Sequence, residues 1–200
     1  MSVEQQKRGS GDDRRAAIGR AAREIIVEKG LEGLRTRDIA ARVGINIATL
    51  HYHVPSKEAL VSLVAETIRD QFKQQAARHP REGKTALELL RMEFDDFAET
   101  MDEAPDLIIL LAELTERARR DVAISAIMAP MGSYWRSQLA DILRLGIEDG
   151  SFRADIDPVS GALLITGALS ELARTRGKFG PAPQLFAEIE RAFVRPSNKS

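Results

Sequence analysis

His51, His53 and His79, with no cysteine, are the chain's whole stock of imidazoles and thiols. Without a thiol, disulfide scaffolds, thiolate zinc sites, iron–sulfur clusters and cysteine nucleophiles are all excluded. The residues three before the histidines are Ala48, Leu50 and Ala76, so the Glu-x-x-His pattern of a di-iron helical bundle is missing. His51 and His53, two apart, point to different sides of a helix and make a poor metal pair. Neither Gly-x-Ser-x-Gly nor a glycine-rich phosphate loop after a strand occurs. The expectation is a protein that is not an enzyme and takes no cofactor and no metal.

Hydrogen-bond donors suited to a polyanion gather at the front instead. Residues 1–60 hold 11 Lys/Arg against 8 Asp/Glu, and residues 61–200 hold 18 against 22. Lys7, Arg8, Arg14, Arg15, Arg20 and Arg23 fall within the first 23 positions, a density that fits a polyanion better than a small substrate, with a solvated helix face as the alternative. Lys57, at the first turn of a helix beside free N–H groups, is suited to grip a phosphate, and the hydroxyls of Thr36 and Thr49 can do the same. The fork of Arg37 matches guanine O6 and N7. Ile47, Ala48, Tyr52 and His53 carry tips that can meet thymine methyls and base edges. Tyr52 and His53 could instead pack against the helix bundle. Arg14, Arg15 and the Lys7-Arg8 pair could reach backbone or minor groove from an N-terminal arm.

These side chains need helices to hold them. Ala, Leu, Glu and Arg dominate, and apolar residues recur at three and four, so the expectation is an all-α fold of about nine helices and no sheet. The first is predicted from Asp12 or Asp13 through Ile18, Ala22 and Ile25 to Gly30. Thr36 is expected to cap a helix of about seven residues that ends at Gly44, and Asn46 another that runs to about His53. Pro55-Ser56-Lys57-Glu58 opens a long helix through Leu60, Val61, Val64, Ile68 and Phe72. Later seams are Leu87, Leu90, Phe94, Phe97 and Met101; Leu107 to Leu114; and Ile124, Ile127, Met131, Trp135, Ile142 and Leu145, kinked at Pro130. Asp157-Pro158 and Pro183 open the last two helices. Gln138 stands out of pattern within the Met131–Leu145 seam, so if buried it needs a partner in protein, water or a ligand.

A short helix, a glycine turn and a second short helix rich in donors form a helix-turn-helix, whose second helix enters the major groove of DNA. Thr36, Ile39-Ala40, Gly44-Ile45, Thr49-Leu50, His51-Tyr52-His53 and Ser56-Lys57-Glu58-Ala59-Leu60 together resemble the TetR family of bacterial transcriptional regulators. The likeness covers about residues 12 to 75. His51 stands where the family usually has tyrosine and Val54 where it has phenylalanine, and the latter is similar to the branch that includes the tetracycline repressor. Composition implies a flexible basic arm (1–11) and a disordered tail (196–200), and the resemblance implies a DNA-binding domain (12–58) and an effector-binding and dimerisation domain (59–195). It implies Thr36, Arg37, Ile47, Ala48, Thr49, His51, Tyr52, His53 and Lys57 as the DNA-binding set.

For the back half it implies a homodimer and a pocket for a small, largely apolar effector. Phe94, Phe97, Met101, Met128, Met131, Tyr134, Trp135 and Gln138, on the fifth and seventh helices, are the candidate lining, although core packing would explain most of them too. Gly161, Ala162, Ile165, Ala168, Leu169 and Leu172, with Leu185, Phe186, Ile189 and Phe193, are the candidate dimer stripes, the alternative being that they cover their own domain. The expected protein is a cytoplasmic repressor of double-stranded DNA, released from a palindromic operator by its effector. No apolar run approaches a membrane span. A helical protein-binding adaptor is the competing class, and salt-dependent DNA binding separates the two.

Overall fold

The computed structural model describes residues 3–175, 177–178 and 180–195, with the backbone alone from 3 to 10. Its helices are α1 (Val3–Lys29), α2 (Thr36–Val43), α3 (Ile47–His53), α4 (Lys57–Arg78), α5 (Ala86–Glu103), α6 (Pro105–Ala118), α7 (Val122–Glu148), α8 (Pro158–Thr175) and α9 (Ala182–Phe193), with a 3-10 turn at Leu31–Gly33. Among the described residues these nine helices are joined by loops and one isolated bridge, Phe152 to Val194. The all-α expectation holds. None of these helices is long and apolar enough to cross a membrane.

The start of α1 differs from the expectation at Asp12 or Asp13. From Val3 on, the segment expected as a flexible arm is helical, because Glu4, Gln5, Gln6, Lys7 and Arg8 are straight-chain helix formers and extend the helix N-terminally. The expected tail, 196–200, lies outside the described residues. Caps set most other boundaries. Asn46, Asp121 and Asp157 accept the backbone N–H of Thr49 (2.7 Å), Ala123 (3.1 Å) and Ser160 (2.8 Å). Thr85 and Glu88 make a reciprocal capping box at α5. α7 runs unbroken through Pro130.

The chain divides into two compact units, residues 1–74 with 109–129, and residues 75–108 with 130–200. In the first, Ile18, Ala22, Ile25 and Ile26 of α1 are fully buried together with Ile39, Leu50, Val61, Val64 and Ile68. α1 and α4 come close at Gly19, where a Cβ would sit 3.0 Å from Thr67 Cγ2, so the absent side chain is what lets these two backbones approach.

In the second unit, Leu90, Phe94, Leu139, Leu143, Phe152, Ile165 and Leu169 form the core. Two expected seams shift here. On α7 the buried positions in this unit are Leu139, Ala140, Ile142, Leu143 and Gly146 while Leu145 is exposed, so the stripe drifts from the strict heptad spacing, as a 3.6-residue helix must. On α8 the expected dimer stripe of Gly161, Ala162, Ile165, Leu169 and Leu172 is buried in its own unit, and Ile189 and Phe193 of α9 lie there too. The apolar residues that α8 leaves exposed are Val159, Leu163 and Leu164, at 64%, 62% and 68%.

Candidate nucleic-acid interface

α2 begins at Thr36 with Arg35 as its N-cap, and no side chain caps it. Thr36 is therefore not the cap the sequence suggested, and its hydroxyl is left for another partner. α2 ends at Gly44, whose φ of 73° and ψ of 34° are left-handed, and whose N–H reaches back to Ala40 and Ala41. Only glycine adopts this conformation without strain, so the sharp turn into α3 depends on it. The Ile45 N–H bonds to the Ala40 carbonyl at 2.9 Å, and Asn46 then caps α3. The turn between the two short helices is thus made by local hydrogen bonds.

α2 is fastened to α1 by charge. Arg42 donates two bonds to Glu28, 2.9 and 2.8 Å, and lies 3.4 Å from Glu24. The Glu28 hydrogen bond holds the Arg42 guanidinium above its usual pKa, and the same bond holds the Glu28 carboxyl below its own. Sequence reasoning passed over this clamp, although Glu24 and Glu28, one turn apart on α1, were the available signal. Such exposed pairs add little to stability, but the paired-fork geometry restricts orientation.

The packing presents α3 outward. Its single fully buried residue is Leu50, while Tyr52 is 84% exposed and Ile47 48%. Ala48 and His51 are also exposed, and Thr49 and His53 half-buried. The alternative in which Tyr52 packs on the bundle does not hold, since the side chain is exposed; its ring lies edge-to-face with that of His53, at 5.2 Å between centroids. Arg37 stands out from α2, 79% exposed, with Asp38 at 3.5 Å. At the start of α4, Ser56 accepts the Ala59 N–H at 3.1 Å, and the neighbouring Lys57 is exposed and makes no hydrogen bond or salt bridge among the described residues. Thr36, His51, Ser56 and Lys57 share a cleft of about 240 Å³ floored by Leu50, Val54 and Leu60. The fold therefore gathers a hydroxyl, an imidazole and an ammonium from three helices around one hollow, a combination suited to a phosphate.

Part of the basic N-terminal set is engaged with protein instead. Arg15 donates to the His53 carbonyl at 3.1 Å and lies 3.7 Å from Glu66, and Arg23 donates to Gln71 at 2.7 Å. Arg14 and Arg20 are exposed. Lys7 and Arg8 lie outside the residues whose side chains are described.

The candidate effector residues divide differently. Phe94 is buried and stacked on Phe186 at 4.7 Å, and Phe97 stacks on Trp135 at 6.3 Å with planes 6° apart. Met101, Met131 and Gln138 are half-buried, and Tyr134 is 67% exposed. Met128 is buried in the first unit, apart from the other seven. Trp135 is anchored by charge: its indole N–H donates to Glu93 Oε2 at 3.1 Å. Glu93 also pairs with Arg81, which donates to Asp96 at 3.0 Å. Burial opposes the charge on Arg81, but the field and hydrogen bond of Glu93, then those of Asp96, outweigh it and raise its pKa. Gln75 donates to the Asp96 carbonyl (2.8 Å) and to Glu99 (3.1 Å), joining the end of α4 to α5.

His79, Asp96 and Glu99 could offer three metal ligands within 4.8 Å of one another. Their carboxylates are already held by Arg81 and by Arg78, the latter at 2.6 Å from Glu99. A cation would have to displace guanidinium groups from both, so the arrangement is an ion-pair network.

Comparison with known proteins agrees with the geometry of the first unit. The family described as bacterial regulatory proteins, tetR family, matches residues 18–64. The HTH-type transcriptional repressor KstR2 of Mycolicibacterium smegmatis is 29% identical over 147 residues, 72% of this chain and 70% of that one. The class D tetracycline repressor of Escherichia coli is 41% identical over 54 residues, 27% of this chain and 25% of that one. A transcriptional regulator of Saccharomonospora viridis solved in complex with choline superposes with a TM-score of 0.79 at 23% identity, covering 92% of this chain and all of that one. The ketosteroid transcriptional regulator KstR2 of Mycobacterium tuberculosis does so at 0.69 and 24%, covering 92% and 96%. With its glycine-turned helix pair and outward-facing α3, the segment 18–64 carries the DNA-binding domain of the tetR family of bacterial regulatory proteins, and the chain is a DNA-binding transcriptional regulator.

Proposed function

We propose that this protein is a homodimeric repressor that reads a two-fold symmetric operator through α3 and leaves it when a small, largely apolar effector binds the second unit. The observation that carries the DNA contact is the exposure of Tyr52, Ile47 and Arg37 beside the Thr36–Lys57 cleft. Lys57, Thr36 and Thr49 grip phosphates, and Arg37, Ile47, Ala48, His51, Tyr52 and His53 face base edges. Two copies joined through their C-terminal helices would set two α3 helices about 34–36 Å apart, or a multiple of that, for successive turns of the duplex. The dimer face is the exposed Val159, Leu163 and Leu164, continuous with a cleft of about 520 Å³ lined by Ser160, Ala168, Glu188 and Ala192.

For the effector, Phe97, Met101, Met131 and Trp135 offer apolar surface, and the Gln138 amide makes no hydrogen bond among the described residues. That free amide supports Gln138 as the polar anchor of the site. Phe94 and Met128, both buried, serve as packing. An effector between α5 and α7 would act on the last turn of α4 through Gln75, and α4 is one helix from Lys57 to Arg78. Release requires the effector to prefer the conformation that cannot hold both half-sites. The cytoplasm, where the operator lies, is the corresponding location.

Binding of purified protein to duplexes it selects from host genomic fragments tests the reading. Lys57→Ala should weaken all sequences about equally and reduce the salt slope by about 1 per protomer, about 2 for the dimer, whereas Arg37→Ala should relax preference at one base position of each half-site. Absence of salt-dependent selection would return the adaptor class. Choline, bound by one similar protein, and a ketosteroid, after which another is described, are first effector probes.

A further inference from the structure

We infer that Arg15 is a positioning residue for the recognition helix, holding the C-terminus of α3 against α1 and α4 without touching DNA. The inference rests on the reading of α3 as the base-contacting helix. α3 has only seven residues, Ile47–His53, too few to be stable alone, and its last carbonyls need partners from outside. Val54 N–H takes the Leu50 carbonyl at 2.8 Å. The next residue is Pro55, which has no N–H, so the His51 carbonyl cannot be closed by a further helical bond. Arg15 comes from α1, 38 residues away, and donates to the His53 carbonyl at 3.1 Å.

A guanidinium at a helix C-terminus also meets the negative end of the helix dipole. The other edge of Arg15 lies 3.7 Å from Glu66, two turns along α4 from Lys57. One side chain thus ties the end of the base-reading helix to the helix that carries the phosphate-gripping lysine. The register between base contacts and phosphate contacts is what converts contacts into selectivity. Arg15 also sits in the basic N-terminal set, where a direct phosphate contact is the rival role, and the two make different predictions.

The test uses the full-length protein and two duplexes, one that the wild type selects from random sequence and one of scrambled sequence. Arg15→Ala should weaken the selected duplex by roughly threefold per recognition helix, roughly tenfold for the dimer, from what a cation at a helix C-terminus is worth. It should leave the scrambled duplex and the salt slope unchanged, and Arg15→Lys should restore most of the loss. Glu66→Gln, in which nothing is removed that could bind phosphate, should lower the selected-to-scrambled ratio in the same direction. Equal weakening of both duplexes with a slope lower by about 0.9 per protomer, about 1.8 for the dimer, would make Arg15 a phosphate ligand and overturn the inference. Lower thermal stability with an unchanged ratio would also overturn it, by reducing the contact to a purely structural one. A wild type that prefers no duplex would instead remove the reading of α3, and is distinguished because it appears before any substitution is made.

Discussion

Replacing Arg81 by Met tests whether the charged network behind Trp135 stands as the structure draws it. Arg81 bridges Glu93 and Asp96, whose side chains are only 9% and 14% exposed, and is itself 30% exposed. Methionine keeps most of the volume and removes the charge, leaving Glu93 with the Trp135 N–H as its remaining partner in the network. Stranding a buried charge costs about 3–5 kcal/mol, and the partial exposure of Arg81 places this case at the low end, about 3 kcal/mol. For a chain of this length that lowers the melting temperature by about 6–12 °C.

The assay is thermal unfolding followed by fluorescence of Trp135, the single tryptophan of the chain. Glu93→Gln alone keeps one acceptor oxygen where the carboxylate offers two, so either the indole or the guanidinium loses its partner on this side chain, at a cost of about 1–3 kcal/mol. In combination with Arg81→Met it removes the stranded charge, so the double variant should be more stable than Arg81→Met alone, a coupling that only contacting residues show. A loss below about 0.5 kcal/mol for Arg81→Met, the level of ordinary surface substitutions, or a double variant that is less stable than Arg81→Met, would refute the network.

Acidification should destabilise the second unit through Glu190, whose carboxyl is held below its usual pKa chiefly by the hydrogen bond from Arg91, at 2.8 Å. Because the folded value is the lower one, this stability is present above the unfolded carboxylate pKa of about 4.3 and is lost as pH falls through the folded value; Glu190→Gln should flatten that part of a pH titration followed by circular dichroism. Gly44→Val forces a β-branched residue to φ 73° and should cost about 1–2 kcal/mol with loss of operator binding, while Asn46→Ala, deleting the cap of α3, should cost about 1 kcal/mol and weaken selective binding before non-selective binding, both read by denaturation and gel shift. Leu163→Glu together with Leu164→Glu should yield monomers by light scattering with the helix content retained, since both side chains are exposed; a dimer that persists would move the interface elsewhere.

The parts of the DNA-binding unit that could be read in advance are those made by neighbours in the chain. Gly44 can take the left-handed conformation that a tight turn between two helices needs, and Asn46 can cap α3 because its side chain reaches an N–H three residues on. The outward set of Ile47, Ala48, His51 and Tyr52 follows once Leu50 is assigned inward, because a seven-residue helix with one buried apolar residue has one possible orientation. Thr36 was misread as a cap because threonine is suited both to capping and to the first helical turn, and the extended Arg35 takes the cap position instead.

Apart from the start of α1 and the cap of α2, residue order alone therefore determined the helices, their glycine stops and the reader motif, since each depends on interactions spanning three or four residues. Tertiary structure decided which face each helix turns inward. α8 has apolar or small residues around much of its circumference, so its pattern fits two orientations, and only packing against Leu143 and Phe193 buries Gly161 and exposes Leu163 and Leu164. Packing likewise decided that Trp135 gives its N–H to a carboxylate 42 residues away and that Arg15 holds a carbonyl 38 residues on. An arginine side chain suits a phosphate, a carboxylate and a helix end equally well, and nothing in residue type chooses among them until the fold sets one partner within reach.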